Sequence, residues 1–192
     1  MPKPRIYLDA NPLIDAIKYD LNGTIEPERE DNVWHTKAIM RAALDGQLEL
    51  VTSTLTIVEC KRSEAGAPAN EDTKTLINRV LTSGRIFLLA QVTQEITEKA
   101  RDLEWVHGIY LSRAADAIHV ATAIQTGCQE IFTGDGQINK NAEKLKALGL
   151  RVVRPSETTL LPAEYKQGSL ISGVKRKPAA AKKARPKKRT DQ

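Results

Sequence analysis

The stretch SRAADAIHVATAIQTGCQEIFTGD, residues 112–135, decides the fold that we predict for the whole chain. Ser112 is a favourable N-cap and Gly127 a favourable residue after a helix C-terminus, so the pattern predicts a helix between them. The next apolar run, residues 130–133, has the length of a buried strand, and a turn carrying Asp135 follows it. This unit therefore places two carboxylates in otherwise apolar surroundings.

The first of these carboxylates, Asp116, belongs to a helix made mostly of Ala, Ile, Val and Thr, a composition typical of a helix packed inside a domain. A buried carboxylate needs a partner because an unpaired buried charge is costly. The sequence leaves three alternatives open: Asp116 faces solvent, pairs with Arg113 three residues earlier, or binds a cation.

Outward from this unit, apolar strands and amphipathic helices alternate over about 150 residues. We predict strands at residues 5–9, 48–52, 85–90, 130–133 and 151–153. We predict helices at residues 11–19, 32–45, 71–82, 93–107, 112–127 and 139–148, with a polar loop at 21–31. Such alternation predicts a three-layer α/β/α sandwich with a central, mostly parallel sheet.

A third candidate acid, Glu59, lies in the segment STLTIVECKRS, which we predict to contain a short helix capped by Ser53. One interpretation makes Glu59 an exposed helix carboxylate that pairs with Lys61 or Arg62. The other makes it part of a site at the edge of the sheet.

Four acids are expected to meet at that edge: Asp9 follows the first strand, Asp135 follows the fourth, and Glu59 and Asp116 lie on helices at the same end. Ligands of open α/β sheets gather beside the carboxyl ends of the strands. Four like charges at close range repel each other unless divalent cations bind between them, and Mg²⁺ and Mn²⁺ prefer carboxylate oxygens. The sequence therefore predicts a metal site.

Composition excludes several classes of protein. The chain has 192 residues, of which 41% are hydrophobic, so it can bury the core of one domain. It has no apolar run near 18 residues and no signal-peptide pattern, so we expect a soluble, cytoplasmic protein without a membrane partner. Its two cysteines, Cys60 and Cys128, and its lack of a Cys/His cluster argue against a disulfide framework, structural zinc and cysteine catalysis.

The charge is distributed unevenly along the chain. From Val174 onward there are nine Lys or Arg residues and one acid, so the other 173 residues hold 20 basic and 23 acidic residues, a net charge of about −3. We predict a domain at residues 1–155, a linker at 156–173 and a disordered tail at 174–192. This tail is a solubilising extension, a nuclear-import signal, or a polycation that binds nucleic acid. The substrate-binding candidates in it are Lys175, Arg176, Lys177, Lys182 and Lys183.

Four motifs, LDAN (8–11), TSTLTIVE (52–59), ADAIHVATA (115–123) and FTGD (132–135), resemble those of the PIN-domain ribonucleases, including the VapC toxins. The resemblance spans residues 5–154. It implies a metal-dependent endoribonuclease that hydrolyses RNA phosphodiester bonds, with Mg²⁺ or Mn²⁺ as cofactor, RNA as substrate, and an antitoxin and a second copy of the chain as partners.

In that family the acids that match Asp9, Glu59, Asp116 and Asp135 bind the metal and carry catalysis. Polar groups that match Asn11 and Thr133 support them. The chain departs from the family in two respects: Asn11 stands where Thr or Ser is frequent, and the polar loop at 21–31 is longer than in a compact toxin.

We also predict roles for four side chains other than these acids. We expect Arg113 to contact a substrate phosphate. We expect His119, one turn after Asp116, to pack or to hydrogen-bond beside the site rather than to act as an acid or base. Trp34 and Trp105 are expected in the core or in a dimer interface.

Three rival interpretations fit parts of the sequence. A haloacid-dehalogenase-like phosphatase needs a second Asp two residues after the first, where this chain has Asn11. A receiver domain needs paired acids near the first strand and a late Lys after a strand, and neither is evident. The third rival is a catalytically silent PIN fold that serves as an RNA-binding or scaffolding module tethered by its tail.

Overall fold

The computed structural model describes residues 2–60 and 71–166. Five parallel strands form one sheet: β1 Arg5–Leu8, β2 Glu49–Ser53, β3 Phe87–Ala90, β4 Glu130–Phe132 and β5 Arg151–Val153. The helices are α1 Ala10–Asn22, α2 Pro27–Leu44, α3 Leu55–Glu59, α4 Glu71–Leu81, α5 Gln94–Trp105, α6 Ala114–Gln125, α7 Gly136–Lys140 and α8 Ala142–Ala147. A 3-10 turn, Pro155–Glu157, follows β5.

The strand order is β3-β2-β1-β4-β5, so β1 is central and the chain reverses its direction of winding between β1 and β4. Consecutive residues of β1 point to opposite faces: Ile6 and Leu8 pack into one core cluster and Tyr7 into the other. Helices α1, α2 and α4 cover the first face, and α5, α6 and α8 cover the second. The predicted three-layer architecture and parallel sheet are confirmed.

The polar loop predicted at residues 21–31 is wrong. Helix α1 continues to Asn22, and α2 begins at Pro27 instead of residue 32. Gly23 ends α1 in the left-handed conformation, at φ 67°, and its N–H donates to the Tyr19 carbonyl at 2.8 Å. Proline in the first turn starts α2 without losing a hydrogen bond. The connection is short, so the long loop that set the chain apart from compact toxins does not exist.

Two predicted caps are also wrong. Ser53 is the last residue of β2, where it pairs with Ala90 of β3, and α3 begins only after Thr54. The N-cap of α6 is Arg113, one residue after Ser112. In both places pairing and packing with distant parts of the chain outweigh the local preference of serine for a cap.

The helix predicted at residues 139–148 is two short helices, α7 and α8, that meet at Asn141. The first begins early because Asp135 caps it, accepting hydrogen bonds from the N–H groups of Gln137 at 2.7 Å and Ile138 at 3.1 Å. The start of α7 is therefore fixed by a candidate site residue.

Residues 156–166, which the sequence analysis placed in a linker, pack against the domain. Leu161 is buried in the core, and the Tyr165 hydroxyl donates to Asp45 just after α2. Lys61, Arg62 and the predicted basic tail lie outside the described residues. Within the described part of the chain, no helix combines the length and apolar character that crossing a membrane requires.

Candidate metal centre

The candidate site lies where α1 leaves the central strand. Asp9 follows β1 and caps α1, its Oδ1 accepting from the Ala10 N–H at 2.7 Å. Its Oδ2 accepts from the Thr133 hydroxyl at 2.7 Å, just after β4. Only 5% of Asp9 is exposed. Two neighbouring strand ends therefore fix both oxygens of this carboxylate at the point where the sheet reverses its winding.

Glu59, the last residue of α3, reaches the same place. Its Oε2 lies 2.8 Å from His119 Nε2, and that nitrogen lies 3.6 Å from Asp9 Oδ1. One ligand atom from each of these three side chains lies within 4.8 Å of the others. Such a spacing suits a divalent cation, and two carboxylates provide the hard oxygen donors that Mg²⁺ and Mn²⁺ favour.

The other two acids are joined by Arg113. Its Nε donates to Asp116 Oδ2 at 2.8 Å, and a terminal nitrogen of the same guanidinium forms an ion pair with Asp135. Asp116 is 6% exposed, whereas 61% of the Arg113 side chain is exposed. Of the alternatives left by the sequence, pairing of Asp116 with Arg113 is confirmed, and its exposure to solvent is wrong.

A chain of hydrogen bonds runs behind Glu59. His119 is 1% exposed, and its Nδ1 lies 2.7 Å from the Tyr7 hydroxyl, whose oxygen accepts from the Ser53 N–H at 3.1 Å. The expected hydrogen bonding of His119 beside the site is confirmed. Tyr7 was not predicted from the sequence, and Ser53 was predicted only as a helix cap; the signal available for Tyr7 was a hydroxyl in an apolar strand, which needs a buried partner.

The acids perturb one another's protonation. The pKa of Asp116 is raised, chiefly by burial and further by the negative charges of Asp135 and Asp9, although the Arg113 guanidinium opposes this. Burial alone would lower the pKa of His119, but the hydrogen bond to Glu59 and the charge of Asp9 raise it overall. A divalent cation would relieve the repulsion among these carboxylates.

Cys60 lies beside this site. Burial, with the nearby charges of Glu59 and Asp9, raises the pKa of the Cys60 thiol to about 12. A raised pKa keeps a thiol protonated at neutral pH, which makes it a poor nucleophile.

A cavity of about 250 Å³ opens over the acids. Its lining includes Asp9, Glu59 and Asp116, together with Asn11 and Arg113. Three predicted metal-binding acids thus share one cavity with a predicted supporting residue and a predicted phosphate contact. Asp135 is linked to them through Arg113, and Thr133 through Asp9.

A larger cavity, of about 470 Å³, lies beside the first. Both cavities contact Asn11, Asp15 and Arg29, and the larger one extends past Thr133 to Arg154 after β5. An extended polymer could therefore leave the acid site along the carboxyl ends of β4 and β5.

The two tryptophans differ in how they pack and in how exposed they are. Trp34 packs edge-on against Tyr19 with ring centroids 5.3 Å apart, as expected of a residue between helices. Trp105 is 73% exposed, which rules out a place in the core of this chain.

Comparison with known proteins identifies the family. A model of the PIN domain matches residues 6–144, more than half of the 192 residues, and the chain belongs to this family. PIN domains are generally nucleases that use divalent metals. The fold is the one expected for such a protein.

The chain is similar to two solved structures, of which VapBC2 has the same fold. VapBC2 from Rickettsia felis, bound to a DNA fragment from its promoter, aligns with a TM-score of 0.53 and 12% identity over 78% of this chain and 97% of the other. FitAcB from Neisseria gonorrhoeae aligns with a TM-score of 0.49 and 20% identity over 80% and 99%. A search of curated proteins gave no match.

Proposed function

We propose that the protein is an endoribonuclease that depends on Mg²⁺ or Mn²⁺ and hydrolyses RNA phosphodiester bonds. The observation that carries the proposal is the clustering of Asp9 and Glu59 within 4.8 Å, in a cavity that also contains Asp116. Membership of the PIN family supports it, because PIN domains are generally nucleases.

Asp9 and Glu59 would hold the cation, with Asp116 and Asp135 completing the acidic wall. The donor set fits such an ion: both carboxylates are held by hydrogen bonds, and the pKa of Asp116 is raised by burial and then by the nearby charges of Asp135 and Asp9, which a cation would offset. When bound, a divalent cation lowers the pKa of a bound water and neutralises charge on the leaving oxygen.

The chain's own side chains have separate parts in this chemistry. Thr133 and the Ala10 N–H orient Asp9. Arg113, largely exposed at the rim of the cavity, would exchange a carboxylate for a substrate phosphate, since a guanidinium binds both groups in the same fork geometry. No side-chain nucleophile is needed.

The test uses purified full-length protein and a circular single-stranded RNA, which only an endonuclease opens. We expect cleavage with Mn²⁺ or Mg²⁺, none with EDTA, and cleavage about 100-fold slower with the variant Asp9→Asn under the same conditions. Cleavage that survives EDTA would contradict the metal mechanism. RNA binding without cleavage, at any metal concentration, would favour the silent RNA-binding module instead.

We further propose that the protein is the toxin of a toxin–antitoxin pair. VapBC2 has the same fold and is bound to DNA from its own promoter. We expect the product of a neighbouring gene to co-purify with this chain and to inhibit cleavage. Failure of every adjacent gene product to bind would contradict this assignment while leaving the nuclease activity in place.

A homodimer is also proposed, with the exposed Trp105 and its neighbours Val106 and Tyr110 at the interface. We expect the purified chain to sediment as a dimer and the variant Trp105→Ser to sediment as a monomer. A monomeric wild type would remove this proposal.

A further inference from the structure

His119 is placed where it could act on the metal centre in either of two ways. Its Nε2 lies 2.8 Å from Glu59 Oε2 and 3.6 Å from Asp9 Oδ1, so its distance would allow it to be a third metal ligand. A metal ligand, however, needs a lone pair on that nitrogen. The hydrogen bonds of the imidazole decide between a ligand and a donor.

The contact with Glu59 requires a hydrogen on Nε2. An ionised carboxylate only accepts hydrogen bonds, so a nitrogen at 2.8 Å from its oxygen must donate. The other nitrogen, Nδ1, lies 2.7 Å from the Tyr7 hydroxyl. The phenolic oxygen accepts from the Ser53 N–H and has a second lone pair, so it donates to a neutral imidazole at Nδ1 or accepts from a protonated one. In both cases Tyr7 holds Nδ1, and Nε2 donates to Glu59.

We propose that His119 is a positioning residue that holds Glu59 toward Asp9, and that it is not a metal ligand. Ser53 fixes Tyr7, Tyr7 fixes the ring of His119, and His119 fixes the carboxylate. The inference rests on the proposed function, since it assumes that Asp9 and Glu59 bind the cation.

The position of Glu59 explains why it needs such support. It is the last residue of a five-residue helix, and its side chain has three rotatable bonds and is 30% exposed. Asp9, in contrast, is held by two hydrogen bonds of its own. Removing a group that orients a ligand lowers metal affinity by about 10- to 100-fold.

The experiment measures Mn²⁺ binding by electron paramagnetic resonance, with the spin-echo modulation of nitrogen as a second readout. Full-length wild type is compared with His119→Leu, which loses the donor, His119→Gln, which keeps an N–H donor, and Tyr7→Phe, which loses only a hydroxyl. Arg101→Gln, an exposed residue of α5 that does not line the acid cavity, is the control for preparation.

We expect no directly coordinated nitrogen in the wild type, about tenfold or greater weakening of Mn²⁺ binding in His119→Leu, near-normal binding in His119→Gln, and an intermediate loss in Tyr7→Phe. Circular dichroism checks folding. If His119→Leu does not fold, the wild-type nitrogen spectrum and Tyr7→Phe still decide the question.

Two outcomes would overturn the inference alone: a coordinated-nitrogen signal in the wild type, or equal Mn²⁺ affinity in the wild type, His119→Leu and Tyr7→Phe. Absence of Mn²⁺ binding to the wild type would overturn the metal centre and this inference with it. Absence of RNA cleavage, with the expected order of Mn²⁺ affinities, would overturn only the proposed activity.

Discussion

The four acids of the site form two pairs with different partners. Asp9 and Glu59 converge on His119, and Asp116 and Asp135 converge on Arg113. Each pair thus already contacts a nitrogen donor, which offsets part of the repulsion between like charges. A cation that binds the first pair need not displace Arg113, whereas a cation that binds the second pair must compete with it.

Replacing each acid by its neutral amide should separate the roles of the four acids. We expect Asp9→Asn, Glu59→Gln and Asp116→Asn each to lower kcat/KM by about 100-fold, since a lost metal ligand costs about 3 kcal/mol of transition-state stabilisation. Asp135→Asn should lose least, because asparagine still caps α7. Initial rates on single-stranded RNA measure this, with thermal denaturation to check the fold. Full activity in Asp9→Asn or Asp116→Asn would remove the site assignment.

The variant Arg113→Gln should affect metal and substrate in opposite directions. Mn²⁺ should bind about two- to fivefold more tightly, since the positive charge of Arg113 beside the acids no longer repels the cation, an effect of about 0.2–1 kcal/mol for exposed charges. KM for RNA should rise about tenfold, since a charged phosphate contact is lost. Mn²⁺ titration and steady-state kinetics measure the two effects.

The matched control for Arg113→Gln is Arg101→Gln, an exposed arginine on α5 that also pairs with an aspartate, Asp102. It should leave both quantities unchanged. Weaker Mn²⁺ binding in Arg113→Gln than in this control would mean that Arg113 organises the acids for the metal instead of competing with it.

For individual residues, the sequence predicted where the acids lie better than which side chains they contact. Asp9 and Asp135 follow strands, and the rule that strand ends share one edge was enough to bring them near Asp116. The bonds among Tyr7, His119 and Glu59 could not be predicted. They depend on the face of β1 that carries Tyr7 and on the rotation of α6 against it, and these are set by packing across the sheet.

Among the secondary-structure elements, the connection between α1 and α2 is a short turn at one glycine where the sequence predicted a long loop. Gly23, at φ 67°, turns the chain in the left-handed conformation, and nothing lies within 4 Å of a Cβ placed there. Its substitution by alanine therefore tests backbone strain alone. Because Asp9 is the N-cap of α1, a shift of this helix would also move Asp9 in the site.

We expect Gly23→Ala to lower the free energy of unfolding by about 1 kcal/mol, because an L-residue is strained at positive φ. RNA cleavage should be unchanged at low temperature. Urea denaturation measures the stability. Gly136→Ala in α7, where φ lies outside the left-handed region and space is open, is the control and should be neutral or stabilising. Equal stabilities of the two variants would show that the turn tolerates other conformations.

The strands were predicted more closely than the helix ends. Short apolar runs bounded by glycine locate β2, β4 and β5 to within a residue or two, because a parallel strand buried on both faces leaves little choice. The ends of α2, α3 and α6 were misplaced. Local capping signals compete with strand pairing, as at Ser53, and with ion pairing, as at Arg113.

Over the whole molecule, charge divides the chain into a mildly acidic body and a basic tail. The first 173 residues have a net charge of about −3, and the remainder holds nine basic residues and one acid. A body with a net negative charge offers a polyanion such as RNA no long-range electrostatic attraction. We therefore propose that residues 174–192 supply non-specific affinity for RNA.

Deletion of residues 174–192 should weaken RNA binding and flatten its dependence on salt. The logarithmic slope changes by about 0.7 for each single-strand phosphate neutralised, so three simultaneous contacts would change it by about two units. Turnover of a short, saturating substrate should survive, because the acids at the edge of the sheet are untouched. Binding titrations at several salt concentrations measure the affinity and its dependence on salt.

A chain of full length with glutamine at the nine basic positions is the matched control, and it should behave like the deletion if charge, rather than length, is responsible. Identical slopes for the wild type and both variants would instead assign the tail to solubility or to recognition by another protein.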